Sequence, residues 1–132
     1  MEMTIDFPGG ARVDAHFGNF VVPTDQPQAG GGQGSAPTPF DTFLSTIGTC
    51  AGIYVLGFCR QRAIPTDGIR LVQRMQVDPV THLVSGVTVT IELPAGFPAK
   101  YADATVRAAE QCAVKKHFEH PPLIRVSRVL AG

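Results

Sequence analysis

Apolar and polar positions divide the chain into alternating stretches and one long helical stretch. Met3, Ile5 and Phe7 alternate with Thr4 and Asp6 before Pro8-Gly9-Gly10. Val13, Ala15 and Phe17 alternate with Asp14 and His16 before Gly18-Asn19, and Phe20-Val21-Val22 follows. Period-two runs bounded by turn residues predict short strands over 1–23. Residues 24–37, TDQPQAGGGQGSAP, have no periodicity and predict a loop, of a length more often functional or mobile than idle. Its glycines lack the strand–GxGxxG–helix context and the Lys-Ser/Thr of a phosphate loop.

From Thr38 the period changes. Phe43, Leu44, Ile47, Ala51, Tyr54, Val55 and Phe58 recur at steps of three and four, predicting a helix over 38–63. Its start is well marked: Thr38 as cap, Pro39 at the first helical position, and Asp41 placed to close a capping box. The other face carries Ser45, Thr46, Gly48, Thr49, Gly52 and Gly57, small rather than charged. A helix apolar or small all round predicts a buried central helix.

Beyond it, Ile69, Leu71, Met75 and Val77 alternate with Arg70, Arg74 and Gln76. Val87, Val89, Ile91 and Leu93 alternate with Thr88, Thr90 and Glu92, so 68–94 predicts an antiparallel hairpin. Ala102, Val106, Ala109 and Ala113 form the stripe of a second helix over 98–118, with Cys112 beside the stripe. After Pro121-Pro122, residues 122–131 predict a final strand. The order gives an α+β fold, one domain over 1–132, with antiparallel strands packed on a long buried central helix and a second helix.

Charge adds exclusions. Lys+Arg and Asp+Glu both number 11 in 132 residues, a net charge of zero that offers no footprint for nucleic acid or an anionic membrane. Thr42 to Cys59 carries no charge and is long enough to be weighed as a membrane span. Its three glycines, its Ser/Thr content and the flanking alternating strands favour a core helix and no membrane. MEMTIDF lacks a basic n-region and an apolar h-region, so no secretory signal is expected. Three cysteines is too few, and odd, for a secreted disulfide framework, which leads to the expectation of a cytoplasmic protein.

The cysteines are the candidate chemistry. Cys50 and Cys59 stand nine residues apart on one helix, about 13 Å of rise and roughly half a turn out of phase. A disulfide needs Cα atoms within about 7 Å, so these two cannot bridge while the helix stands. Any intramolecular disulfide uses Cys112, with Cys50 or Cys59; three buried thiols acting as plain hydrophobes is the alternative. Cys112, His117 and His120 are close in sequence, but C-x4-H-x2-H matches no common zinc spacing, and no metal is expected. The aromatics Phe17, Phe20, Phe40, Phe43 and Tyr54 read as ordinary core, with an apolar ligand pocket as the alternative.

PFDTFLSTIGTC (Pro39 to Cys50), the hairpin, and AAEQCAVKKHF (Ala108 to Phe118), in this order over nearly the whole chain, resemble the OsmC/Ohr family of osmotically inducible and organic hydroperoxide resistance proteins. The resemblance implies an intertwined α+β homodimer with two central helices packed together. It implies a thiol peroxidase acting on organic hydroperoxides, with Cys50 at the peroxidatic position and Cys112 at the resolving one. No cofactor is implied, only an external dithiol reductant, of lipoyl type, and a small hydrophobic peroxide. The family's Arg near the thiolate falls to Arg12, the only Arg before residue 60, and its acid to Asp41, where the family usually has Glu. Asp41 and Cys50 lie nine residues apart, on roughly opposite faces of one helix. If both served one site, either the first turn must bend or two subunits must contribute. A non-catalytic dimeric binder of small apolar ligands, or a thiol redox sensor, is the second reading.

Overall fold

The computed structural model describes all 132 residues. The strands are β1 (Thr4–Gly9), β2 (Arg12–Phe17), β3 (Phe20–Val22), β4 (Arg70–Val77) and β5 (Val84–Glu92). The helices are α1 (Pro39–Gln61), α2 (Ala102–Ala109) and α3 (Ala113–Glu119), with single 3-10 turns at Gln28–Gly30 and Ala99–Tyr101. Both sheets are antiparallel, one in the order β1-β2-β3 and one pairing β4 with β5. The chain forms two compact units, Met1–Thr46 and Ile47–Gly132.

In the first unit, the meander turns at Gly18, whose φ of 55° is a left-handed conformation that glycine adopts without a Cβ penalty. The buried side chains here are polar: Asp14, Thr24 and Asp25. Asp25 organises the predicted loop. It accepts from the Ser35 hydroxyl at 2.5 Å, the Gln26 N–H at 2.7 Å, the Ser35 N–H at 3.0 Å and the Gln33 N–H at 3.4 Å. These bonds, led by the Ser35 hydroxyl, hold its carboxyl down to about 2. The Gly-rich segment is thus folded around one carboxylate.

In the second unit, Ala51, Val55, Cys59, Cys112 and Thr105 are buried. Arg70 pairs with Glu92 across β4 and β5, whose register runs Arg70↔Glu92 to Gln76↔Gly86 before a shift at Val77. Gly48 does not interrupt α1. A Cβ there would stand 2.7 Å from Gln73 Oε1, so glycine gives the β4 side chain room. α1 ends in a Schellman motif: Ile64 N–H donates to Cys59 O at 2.9 Å and Ala63 N–H to Arg60 O at 3.3 Å. Ala63 takes the left-handed position, φ 53°, usually held by glycine.

Three expectations are corrected. The second helix, predicted unbroken over 98–118, stops at Ala109 and restarts at Ala113. The predicted final strand over 122–131 is not in a sheet, and Val126 and Val129 are 96% and 94% exposed. A strand needs a neighbour's N–H and C=O groups, and no strand of this chain pairs with the segment. Finally, α1 is not buried all round within one chain. Ala51, Val55 and Cys59 are covered, while Phe40, Phe43, Ile53 and Tyr54 are exposed. By length and composition α1 could also cross a membrane, and only 17% of its most apolar window is buried.

Candidate active site

The site grows from the break between α2 and α3. Its sequence, Ala108-Ala109-Glu110-Gln111-Cys112, has no Gly or Pro and would continue a helix on propensity. Instead α2 closes with tight bonds, Gln111 N–H to Ala108 O at 3.1 Å and Cys112 N–H to Ala109 O at 3.2 Å. Cys112 then leaves helical geometry at φ −48°, ψ 125° and becomes the cap of α3.

A helix start leaves four N–H groups without an intrahelical partner. Here the Cys112 N–H is taken by Ala109 O. The N–H groups of Ala113 and Val114 point to the Cys50 sulfur, and that of Lys115 donates to Cys112 Sγ at 3.4 Å. Three of the four donors therefore serve sulfur. Cys50 reaches them from α1, one turn beyond Ile47, whose carbonyl lies 4.0 Å from Cys112 Sγ.

The two thiols are hydrogen-bonded to each other and differ in ionisation. The Val114 N–H, the Cys112 thiol and the Ala113 N–H together lower the Cys50 pKa, against a smaller opposing effect of burial. Burial chiefly raises the Cys112 pKa, and the neighbouring Cys50 sulfur adds to that. Cys50 is half-buried and Cys112 is buried; both are free thiols. This arrangement favours ionisation of Cys50 over that of Cys112, with the Cys112 thiol as a donor to it. It supports nucleophilic sulfur chemistry followed by closure of a disulfide.

Of the predicted site residues, the structure brings Cys50 and Cys112 together. Cys59, on the same helix, is fully buried, and its pKa is raised by that burial. Arg12 lies in the first unit, where its guanidinium donates to Asp14 at 2.7 Å. The acid that holds Arg12 is thus Asp14, two residues on, and not Asp41. Asp41 sits in the first turn of α1, where its N–H donates to Thr38 Oγ1 at 3.1 Å, and it is exposed. Thr38 therefore supplies its half of the predicted capping box. No three His, Cys, Asp or Glu side chains converge on a metal-sized site, and His117 Nδ1 instead bonds Ala113 O at 2.6 Å. Phe17 stacks with Phe20 and Phe40 with Phe43, each pair 5.8 Å between centroids. Phe20, Phe40, Phe43 and Tyr54 remain exposed, so these four are not core within the single chain. Sequence reasoning missed the N–H groups of Ala113 and Val114, because nothing local marks the break that frees them.

The chain is an α+β protein that sets two free thiols at a helix start. The family follows from comparison: the model of the OsmC-like protein family matches residues 32–127, and the chain belongs to that family. Solved structures share the fold. One, from Psychrobacter arcticus 273-4, is described as a candidate osmotic stress induced and detoxification response protein. It superposes with a TM-score of 0.68 at 24% identity, over 86% of this chain and 85% of that one. Another, from Legionella pneumophila, is described as an organic hydroperoxide resistance protein OsmC and predicted redox protein. Its TM-score is 0.54 at 18% identity, over 89% of each chain. No curated protein matches the chain.

Proposed function

We propose that this protein is a thiol peroxidase that reduces organic hydroperoxides, with Cys50 peroxidatic and Cys112 resolving. The observation that carries the reading is the Cys50 sulfur itself, acceptor of N–H bonds from Val114 and Ala113 and of the Cys112 thiol. The Cys50 thiolate attacks the distal peroxide oxygen; the O–O bond breaks, the alkoxide leaves and is protonated to an alcohol, and Cys50 becomes a sulfenic acid. The Cys112 sulfur then displaces hydroxide, which leaves as water, and a Cys50–Cys112 disulfide forms. An external dithiol, of lipoyl type in this reading, reduces the disulfide and is itself oxidised. The thiols supply the chemistry, so no cofactor is invoked.

In this reading Arg12, held by Asp14, is the candidate for the arginine that the family resemblance implies, and Asp41 acts mainly at the helix start. The protein works as a homodimer in the cytoplasm. A second copy would cover the exposed Phe40, Phe43, Ile53 and Tyr54 of α1 and supply a neighbour for residues 122–131.

The test is mass spectrometry of the reduced protein after one equivalent of an alkyl hydroperoxide, with hydrogen peroxide in parallel. A fast Cys50–Cys112 disulfide, formed preferentially with the alkyl peroxide, is the expected result. Slow, indiscriminate oxidation, or a bond to Cys59, removes the peroxidase assignment and leaves a dimeric binder of apolar ligands. Sedimentation of the native protein checks the dimer.

A further inference from the structure

Resting on the disulfide of the proposed function, we infer that recycling runs through a mixed disulfide on Cys50, with Cys112 as the leaving sulfur. The two sulfurs are not equally open. Cys50 is half-buried, whereas Cys112 is 2% exposed, its sulfur beside Ile47 O of α1 and the Lys115 N–H of α3. A thiolate must approach the attacked sulfur from behind the S–S bond, so access decides which sulfur can be hit.

Ionisation pulls the other way. Cys50 holds the lowered pKa and is the better leaving group, which favours attack on Cys112. If departure responds as steeply as attack, each unit of pKa difference changes the rate only about threefold. Enclosure is a stronger constraint. A thiolate reaches a sulfur with almost no exposed surface only after the helix start opens, and opening must precede every turnover. The fold also receives Cys112 as a leaving group. The Lys115 N–H already donates to its sulfur at 3.4 Å, and Val114 N–H is a second donor.

The step balances without further reagents. One thiolate of an external dithiol attacks Cys50 Sγ; the Cys50–Cys112 bond breaks and Cys112 leaves as a thiolate, later protonated by solvent. The second thiol of the dithiol, as thiolate, then attacks its own sulfur in the mixed disulfide. The Cys50 thiolate is released and the dithiol closes to a cyclic disulfide.

The experiment uses the full chain, oxidised in one portion with diamide and in another with an alkyl hydroperoxide. Each is mixed briefly with 2-mercaptoethanol, quenched in acid, alkylated and mapped by peptide mass spectrometry. The expected result is the mercaptoethanol adduct on Cys50 with Cys112 alkylated, in at least about tenfold excess over the reverse pattern at the earliest times. An adduct mainly on Cys112, or equal amounts on both, overturns the inference. So does failure of both oxidants to form the Cys50–Cys112 bond. If diamide forms it, alkyl peroxide does not, and the adduct is on Cys50, the order of attack stands and the peroxidase assignment falls. As a second measurement, Cys112→Ser and Cys50→Ser are loaded with thionitrobenzoate and treated with dithiothreitol. Faster release from Cys50 in Cys112→Ser, or a Cys112 that resists loading, supports the inference; faster release from Cys112 in Cys50→Ser overturns it.

Discussion

α1 carries the same side chain at two places and treats it in opposite ways. At Cys50 the helix faces the start of α3, whose unpaired N–H groups stabilise the thiolate. At Cys59 it faces sealed core, where no surface is exposed and burial favours the neutral thiol. The end of the helix beyond Cys59 is held by structure alone. Arg62 donates to Phe58 O at 3.2 Å, and its guanidinium lies 3.8 Å over the Phe58 ring and 5.6 Å from that of Tyr101. A cysteine is reactive or inert according to what packs opposite it; sequence position along the helix does not decide.

The sharpest way to break this contrast is to exchange the sulfurs for oxygen. Cys50→Ser should reduce peroxide turnover to background, whereas Cys112→Ser should complete one turnover and then accumulate sulfenic acid on Cys50, seen by dimedone labelling. Substantial steady turnover by Cys50→Ser would remove the contrast altogether.

The pH dependence of alkylation comes next. A lowered pKa means that Cys50 keeps its thiolate as the pH falls below the ordinary thiol range and loses it only through the lowered value. Cys112 and Cys59, both raised, should react only at higher pH and more slowly. Iodoacetamide labelling followed by peptide mapping from pH 5 to pH 9 reads all three, over a range spanning the ordinary thiol value. Ala113→Pro sharpens the result. It deletes one N–H that points to Cys50, and Cys112 already has the extended ψ of 125° that a following proline requires. The Cys50 profile should move to higher pH with the fold intact by circular dichroism.

Smaller effects belong to the sealed end. Cys59→Ala should cost about 1 kcal/mol in urea unfolding, the loss expected for a methyl-sized void, with turnover per folded molecule unchanged. Ala63→Gly relieves a left-handed residue at the helix end and should stabilise by about 0.5–1 kcal/mol, again without touching Cys50 reactivity. A fall in turnover in either variant would show that the two regions are coupled.

The elements written in local pattern were readable. Period-two runs gave β1, β2, β4 and β5, and the Thr38-Pro39 start and apolar steps gave α1 within two residues at each end. Spacing alone excluded a Cys50–Cys59 bridge and left Cys112 as the necessary partner. The LIRVSRVL segment alternated too, yet stays outside both sheets. A strand's partner is a long-range fact that its own residues do not contain.

By itself the sequence determined the α+β class, the position and cap of the long helix, and, through its resemblance to the OsmC/Ohr family, the family. Those depend on side chains a few residues apart and on turn chemistry. Only the tertiary structure decided that the second helix breaks at Cys112, that the freed N–H groups meet Cys50, and that Asp14 holds Arg12. The break runs against local helix propensity, so packing between elements sixty residues apart in sequence had to impose it. The ionisation of each thiol follows from that packing, because hydrogen-bond donors and burial act through space.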